Sequence, residues 1–384
     1  MNNENYLNFL DSAESAIKKK ESPGFFQLKI FSDDVFRDKN ASLSRLSNSL
    51  LRSMENLDEE LNRFENNFLS KNNAIYWAST YNDVFDQLKK IFKAEKTKSV
   101  RIPNVNASTI FRELGIKYFL RDEKIELRED GDIQFFVADF LFSDNGSMLL
   151  LNQTNNNLSK LSNHHTNIFF TTIDRLVASS NWTEVIQQTL SYRNGAAKQD
   201  MIIFRTSPNC NNYLFIIDNQ RSCLLSNKDA RQSLICLQCG RCKDVCPVYQ
   251  TIGDAPYNNV FSGPIANVVL PYLESFETYG HVSMCCTLCG RCEEVCPLNL
   301  PLRDMIITNR QYIASNALFG RRYRRMMSVI RKSLSNRKKM NGSRLMKRHL
   351  LYKYISPDFK RSRRLPSFAK ETFNKEFQKS VHNM

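Results

Sequence analysis

Residues 236–247 read CLQCGRCKDVCP, and residues 286–297 read CTLCGRCEEVCP. The two stretches are identical at eight of their twelve positions, including all four cysteines and the closing proline. Each stretch therefore has the spacing C-x2-C-x2-C-x3-C-P, which is that of bacterial iron–sulfur ligand runs. Because a repeated sequence builds the same local structure twice, we predict two equivalent metal-binding loops.

The spacing within each run also predicts how the cysteines divide between two [4Fe–4S] clusters. Three cysteines separated by two residues each wrap one cubane, whereas the fourth cysteine of the run ligates the other cluster in two-cluster ferredoxins. We therefore assign Cys236, Cys239, Cys242 and Cys296 to cluster 1, and Cys286, Cys289, Cys292 and Cys246 to cluster 2. This crossed ligation makes the two clusters near neighbours, between which electrons can pass.

Zinc is the alternative metal, since cysteine thiolates also form tetrahedral zinc sites. Zinc ribbons use two separated C-x2-C pairs rather than a four-cysteine run closed by Cys-Pro, so the spacing favours iron–sulfur clusters. The 39 residues between Cys246 and Cys286 exceed the spacing of small ferredoxins. We expect helices in this insertion and hence an α-helical ferredoxin domain.

The distribution of cysteines argues against a disulfide scaffold. All eleven lie between Cys210 and Cys296, with none in the first 209 residues, whereas disulfides are spread through small secreted domains. The three cysteines outside the repeat are expected to be ordinary packed thiols (Cys210, Cys223) and a bystander thiol beside the second run (Cys285). No apolar run has the length of a membrane helix and no signal peptide begins the chain, so a cytoplasmic location is expected.

Residues 73–222 alternate short apolar runs with amphipathic ones. NAIYWA, SVRI and IKYFL predict strands between the helical patterns DVFDQLKKIFKA and STIFREL. Further strands are predicted at IQFFVADF, SMLLL, NIFFTT, MIIFRTS and NYLFIID. This alternation predicts βαβ units and an α/β domain with a largely parallel sheet. Before it, Leu43 to Phe68 carries apolar residues at helical spacing and predicts helix packed on this domain.

Four segments are predicted in all: an N-terminal helical segment (1–72), the α/β domain (73–222), the ferredoxin domain (223–318) and a basic helical tail (319–384). The net charge is +15, and between Gly320 and Arg364 there are 17 Lys and Arg against one acidic residue, Asp358. The rest of the chain is therefore almost neutral. The tail has three open interpretations, which are binding to anionic lipid, to an acidic partner subunit or to nucleic acid.

The ferredoxin region resembles the lactate utilization protein B family. The shared features beyond the cysteine runs are Val248-Tyr249, Ile252-Gly253, Phe261 with Gly263-Pro264-Ile265, and Leu300-Pro301-Leu302. The stretch VADFLFSDNGSMLLL is similar to that family's N-terminal LUD domain, whose fold belongs with the NagB/RpiA/CoA-transferase-like sheets. The closing LPSFAKETFNKEF also resembles the family's C-terminal end.

The α/β region departs from that family at two stretches. The family's Ala-Glu-Thr-Gly-Ser is here Ser143-Asp144-Asn145-Gly146-Ser147, and its Asn-Glu-Gly-Asn-x-Arg is reduced to NQTNNN at 152–157, without the arginine. We therefore expect a structural or docking role for this region rather than a ligand site. Asp139, His164 and His165 are the nearby polar candidates, but the histidines have no third ligand at recognisable spacing and are expected in an exposed loop.

The resemblance implies an iron–sulfur electron-transfer subunit in the oxidation of L-lactate to pyruvate. It implies two partners, a cysteine-rich CCG-domain subunit and a small LUD-domain subunit, with an acceptor such as quinone at the inner face of the membrane. No G-x-G-x-x-G fingerprint and no nucleophile–base constellation occurs in the chain, so no catalytic residue is predicted. Two alternatives stay open: the iron–sulfur subunit of another 2-hydroxy acid oxidase, such as glycolate oxidase, and a cluster-based redox sensor.

Overall fold

The computed structural model describes fourteen stretches of the chain. They are residues 8–9, 11–13, 15, 39–69, 73–102, 109–128, 131–151, 166–191, 201–204, 211–259, 261–316, 318, 321–336 and 373–382. Residues 2–311 form one compact unit, and residues 312–384 form another together with Met1. The predicted boundaries at residues 72, 222 and 318 stay predictions, because no separation at those points is tested.

The N-terminal segment contains two consecutive helices, α1 (Lys39–Glu55) and α2 (Leu57–Phe68). Leu46 and Phe64 are fully buried, and Leu50 and Phe68 are nearly so. All four belong to the same apolar core as residues of the α/β region, such as Leu149. The prediction that this segment packs on the following domain is therefore confirmed, and burial of the apolar stripe is what holds it there.

A six-stranded sheet forms the centre of the α/β region. Its strand order is β1-β10-β7-β4-β2-β3, and every neighbouring pair is parallel. The strands are β1 (Asn73–Ala78), β2 (Ser99–Arg101), β3 (Glu126–Leu127), β4 (Ile133–Val137), β7 (Thr166–Thr172) and β10 (Asn211–Ile217). The predicted α/β fold with a parallel sheet is confirmed. Strand β7 is buried at all seven positions, as expected for a parallel strand covered on both faces.

A second sheet of four strands has the order β8-β5-β6-β9. Its strands are β5 (Phe140–Phe142), β6 (Ser147–Leu151), β8 (Leu176–Val177) and β9 (Met201–Phe204). The run IQFFVADF was expected to form one strand, and this is wrong. The chain leaves β4 at Val137 and enters β5 of the other sheet at Phe140, because the Ala138 amide bonds β7 at the Phe170 carbonyl whereas the Asp139 amide bonds β6 at the Leu149 carbonyl.

Three helices, α3 (Tyr81–Ala94), α4 (Thr109–Leu114) and α5 (Ile116–Asp122), supply buried side chains to the core on one face of the six-stranded sheet. Helix α5 corrects the sequence prediction, which placed a strand at IKYFL. Ile116, Phe119 and Leu120 are buried, and a spacing of three and four residues is that of a helix face. Gly115, at φ 60°, separates α5 from α4.

The remaining helices are short and lie mostly between and after the two cysteine runs. They are α6 (Thr183–Ser191), α7 (Arg221–Ser226), α8 (Arg241–Asp244), α9 (Pro247–Ile252), α10 (Gly263–Leu273), α11 (Phe276–Met284), α12 (Arg291–Glu294), α13 (Leu302–Ser315), α14 (Arg321–Leu334) and α15 (Phe373–His382). Helix α10 is buried along almost its whole length. None of the helices in the described part of the chain is long and apolar enough to cross a membrane.

A row of polar side chains crosses the six-stranded sheet at one register. Asn73 pairs with Asn212, Asn212 with Asn167, Asn167 with Gln134, and Gln134 with Arg101 in adjacent strands. The Asn167 amide donates to Asn212 Oδ1 at 3.2 Å and the Asn212 amide to Asn73 Oδ1 at 2.9 Å. At the other end, Arg101 donates to Gln134 Oε1 at 3.2 Å. A one-residue slip would break these bonds, so the row fixes the register of the sheet.

Candidate metal centre

The two cysteine runs have the same backbone conformation. Gln238 and Leu288, at equivalent positions, have φ of 56° and 57°, and Gly240 and Gly290 have φ of 81° and 80°. A φ near 80°, as at Gly240 and Gly290, is adopted at little cost only by glycine, so the turn itself requires glycine at these two positions. A Cβ on Gly240 would meet no protein atom within 4 Å. The repeat in sequence is therefore a repeat in structure.

Backbone amides point at the cysteine sulfurs in both loops. The N–H of Gln238 donates to Cys236 Sγ at 3.4 Å, and the N–H of Leu288 donates to Cys286 Sγ at 3.3 Å. The fourth cysteine of the first run, Cys246, caps helix α9 and accepts from the Tyr249 amide at 3.4 Å. Hydrogen bonds of this kind stabilise charge on a ligating sulfur and help to set the potential of an iron–sulfur cluster.

The first three cysteines of run one lie beside the last cysteine of run two. Cys236 and Cys242 are both within electrostatic range of Cys239 and of Cys296. Burial, together with the neighbouring Cys239 thiol, raises the pKa of Cys236 to about 12. Burial likewise raises the pKa of Cys242 well above its ordinary value. The structure thus brings together the four residues that were assigned to cluster 1.

The other four cysteines form a second group. Cys246 is within electrostatic range of Cys286 and Cys289, and Cys292 interacts with Cys286, Cys246 and Cys289. Burial, together with the neighbouring thiols, raises the pKa of Cys292 to about 12. Cys289 differs from the rest because it is exposed. Cys242 also interacts with Cys292, so the two groups are adjacent.

The chemistry of these residues fits iron–sulfur clusters. A cavity of about 310 Å³ is lined by all four thiols of the first group and by apolar side chains that include Phe261, Ile265 and Leu300. Soft thiolate ligands select iron–sulfur clusters, zinc and Cu(I), and a metal deprotonates a coordinating thiol even where burial opposes ionisation. Among the described residues, no three His, Cys, Asp or Glu side chains converge on one point as the ligands of a single ion do. Cubane ligands need not converge in that way, because each thiolate binds its own iron.

Two arginines outside the runs hold the first cysteine of each. Arg175 donates to the Cys236 carbonyl at 3.1 Å, and Arg310 donates to the Cys286 carbonyl. The sequence analysis missed both. Arg175 lies 61 residues before its partner and Arg310 lies 24 residues after, so only the tertiary fold shows the correspondence.

The residue after the third cysteine carries opposite charge in the two runs. Lys243 donates to Ser262 Oγ at 2.7 Å and lies 3.4 Å from Asp254 Oδ1. Its counterpart, Glu293, accepts from the Arg303 amide at 2.6 Å. Each side chain binds a segment that follows its loop. The two loops therefore have the same backbone conformation but side chains of opposite charge at this position.

The cysteines outside the two groups have different environments. Cys285 packs against an apolar cluster that contains Tyr257 and Val282, and burial raises its pKa to about 11. Cys223 is exposed, so the expectation that it is a packed thiol is wrong. It lies on the outer side of α7, whose buried positions are Arg221 and Leu224. Cys210 lies outside the described residues.

The polar candidates of the α/β region have structural partners. Asp139 accepts from the Leu151 amide at 2.8 Å and so closes the β5–β6 hairpin. Asp144 accepts from the Ser180 amide at 2.8 Å, and Ser143 donates to Glu60 of α2. A Cβ on Gly146 would come within 2.6 Å of the Asn67 backbone. The turn at 143–147 is therefore packed against α2, whereas His164, His165 and residues 152–157 lie outside the described residues.

The cysteine region matches a known domain family. Residues 232–300 match the profile of the 4Fe-4S dicluster domain family. This match contains both loops, the helices between them and all eight cysteines of the two groups. The chain is thus an α/β protein with a 4Fe-4S dicluster domain in its C-terminal half.

Three proteins with similar sequences share one name. The chain is 29% identical over 203 residues to Lactate utilization protein B of Bacillus thuringiensis (strain Al Hakam), Bacillus cereus (strain AH187) and Bacillus anthracis (strain CDC 684 / NRRL 3495). The alignment covers 51% of this chain and 43% of each relative, so the chain spans less than half of their length. The resemblance seen in the sequence is confirmed.

Among solved structures, the chain is similar to the crystal structure of a DUF162 family protein from Deinococcus radiodurans. The TM-score is 0.32 at 16% sequence identity, and the overlap covers 42% of this chain and 98% of that protein.

Proposed function

We propose that the chain binds two [4Fe–4S] clusters and is the iron–sulfur electron-transfer subunit of an L-lactate-oxidising complex. The observation that carries the proposal is the grouping of eight cysteines into two crossed sets, inside the segment that matches the 4Fe-4S dicluster domain family. The relatives named Lactate utilization protein B support a role in lactate utilization. The α/β region would then be a LUD-type domain of the NagB/RpiA/CoA-transferase-like class.

Each part of the site has a role in this function. The thiolates of Cys236, Cys239, Cys242 and Cys296 would hold cluster 1, and those of Cys286, Cys289, Cys292 and Cys246 would hold cluster 2. When bound, the clusters supply one-electron transfer. The amides of Gln238, Leu288 and Tyr249 donate to three of the sulfurs.

Exposure suggests where a redox partner approaches. Cys289 is exposed, whereas Cys239 is 9% exposed and belongs to the apolar core of the α/β region. Electron transfer requires close approach of the two redox groups, so we propose that a partner's redox group docks on the side of Cys289. The partners proposed are a cysteine-rich CCG-domain subunit and a small LUD-domain subunit.

The tail is proposed as an electrostatic contact with those partners or with an anionic membrane surface near a quinone. Four basic side chains of α14 are exposed, namely Arg324, Arg325, Arg331 and Lys332. Near an anionic lipid surface each basic residue contributes about 1 kcal/mol. Binding to vesicles with and without anionic lipid, compared with co-purification of the two subunits, distinguishes the two.

The experiment that tests the proposed function follows cluster reduction by lactate. The purified, cluster-loaded chain is mixed anaerobically with L-lactate, with and without the two partner subunits, and the EPR signal of reduced clusters is recorded. We expect reduction only in the complete mixture, because in this proposal the substrate chemistry lies on a partner subunit. Reduction by glycolate but not by lactate would assign another 2-hydroxy acid, and no reduction by either would favour the redox sensor.

A further inference from the structure

Each cysteine loop is held at the same backbone atom by a guanidinium from another part of the fold. The carbonyl of Cys236 accepts from Arg175 at 3.1 Å, and the carbonyl of Cys286 accepts from Arg310. These carbonyls belong to the first cysteine of each run, so the two contacts are equivalent although the arginines come from unrelated elements. A positively charged side chain thus contacts the backbone of one proposed ligand of each cluster.

Arg175 belongs to a buried ionic group at the carboxyl end of β7. Its Nε lies 3.5 Å from Asp174 Oδ2, and Arg221 Nε lies 2.9 Å from Asp174 Oδ1. The side chains of Arg175, Asp174 and Arg221 are 11%, 8% and 4% exposed. The guanidinium carbon of Arg175 is also 5.8 Å from the centre of the Phe140 ring. Two cations and one anion leave a net positive charge beside the first loop.

Arg310 is held by carbonyls at the end of helix α11. Its Nε donates to the Ser283 carbonyl at 2.9 Å and its Nη2 to the Met284 carbonyl at 3.3 Å. In the described part of the chain, no carboxylate forms an ion pair with it. Among the described residues its charge is met by carbonyl dipoles, and it lies beside the second loop as the Arg175 group lies beside the first.

Charge placed in this way changes the energy of reduction. A cluster gains one negative charge when it is reduced, and a nearby cation stabilises that charge most strongly where water is excluded. Lys243 has a smaller effect by the same argument, because its partner Asp254 is 65% exposed and solvent screens the pair.

We propose that Arg175 and Arg310 are positioning residues, one for each cluster, and that each holds its ligand loop and raises the reduction potential of its own cluster. The inference rests on the proposed function, since it requires a [4Fe–4S] cluster in each group of cysteines. It goes further in assigning an element of the α/β region, the turn after β7, to the control of cluster 1.

The test is an EPR-monitored redox titration of the intact, anaerobically purified chain. The wild type is expected to show two reduction waves. Arg175→Gln is expected to shift one wave to lower potential, and Arg310→Gln the other. Arg175→Lys, which keeps the charge, is expected to leave both waves near their wild-type positions. Because the two glutamine variants must move different waves, no prior assignment of the waves is needed.

A variant that makes the surroundings of cluster 1 more positive separates the effect of charge from the effect of a disrupted loop. Asp174→Asn leaves two cations beside cluster 1 and is expected to raise the potential of the wave that Arg175→Gln lowers. If Arg175→Gln loses iron, Asp174→Asn decides the question for cluster 1; if Arg310→Gln loses iron, retention of iron and of both waves in Arg310→Lys decides it for cluster 2. Equal shifts of both waves or unmoved waves in the glutamine variants, or a downward shift in Asp174→Asn, would overturn the inference. A wild-type chain without two clusters would instead overturn the proposed function.

Discussion

At the scale of single residues, the division of the cysteines into two groups is open to direct substitution. Crossed ligation predicts that Cys242→Ser and Cys296→Ser affect one cluster and that Cys246→Ser and Cys286→Ser affect the other. Each should reduce the iron content from about eight toward about four per chain. EPR of the reduced variants should show the same remaining signal within each pair.

Cys285→Ser is the matched control, because Cys285 is adjacent to a proposed ligand but packs against an apolar cluster. It should retain all the iron. If the variants instead paired by sequence, so that Cys242→Ser resembled Cys246→Ser, each cluster would be held by a single run and the crossed assignment would be wrong.

The buried carboxylate of Asp174 makes a second prediction at this scale. Burial raises its pKa, but the charges of Arg175 and Arg221 and a hydrogen bond from Thr172 outweigh that effect and hold the pKa below its usual value. Removing one partner of a buried ionic group typically costs about 3–5 kcal/mol. Asp174→Asn should therefore lower the free energy of unfolding by about that amount near pH 7, as measured by urea denaturation.

The pH dependence of this difference has a definite sign. A carboxyl group with a lowered pKa stabilises the fold above its unfolded pKa of about 3.9, and the stabilisation is lost as the pH falls through the folded value. The difference between wild type and Asp174→Asn should shrink below about pH 4. Asp86→Asn, on the exposed surface of α3, should change stability by less than about 0.5 kcal/mol. A difference that stayed constant with pH would contradict this account of Asp174.

Sequence spacing predicted how the cysteines are grouped, but it did not predict the side chains that contact the cysteine loops. The pairing of Cys246 with the second run was predicted because the C-x3-C step directs the fourth thiol away from its own loop. Arg175 and Arg310 were not, since no local pattern links a guanidinium to a carbonyl 61 or 24 residues distant. Cys223 was expected to be a packed thiol because it lies near strand patterns in the sequence, but on α7 it is exposed.

At the scale of secondary structure, the polar row of the six-stranded sheet carries a prediction. Asn212 lies between Asn73 and Asn167 in this row; it is fully buried, accepts from Asn167 and donates to Asn73. Asn212→Ala would remove these bonds from the buried Asn167 and the half-buried Asn73, and a buried polar group left without its partner costs about 1–3 kcal/mol. Urea denaturation should show this loss. Asn48→Ala, exposed on α1, is the control and should be nearly neutral, so equal effects would refute the role given to the row.

Helices and strands were predicted correctly where the apolar periodicity was strong. Short apolar runs gave wrong predictions. NIFFTT and NYLFIID form β7 and β10 almost as predicted. IKYFL is too short for its period to be visible, and tertiary burial of Ile116, Phe119 and Leu120 makes it helical. The division of IQFFVADF between two sheets depends on which strands pair with each half, and that information is not local.

At the scale of the whole molecule, the proposed electron carrier is built into the α/β region. Cys239 and Cys292 share one apolar core with Phe169 of the central sheet and Leu46 of α1. All eight proposed ligands lie within the compact unit of residues 2–311. A rigid surrounding of this kind suits electron transfer, because it limits reorganisation around the redox centre.

An iron and sulfide count with EPR spectroscopy shows whether the chain holds two [4Fe–4S] clusters. The chain is purified anaerobically, its iron, sulfide and zinc are determined, and spectra are recorded after reduction with dithionite. The account predicts about eight irons and eight sulfides per chain and the spin-coupled signals of two neighbouring cubanes. Zinc in place of iron, or about four irons with one uncoupled signal, would contradict it.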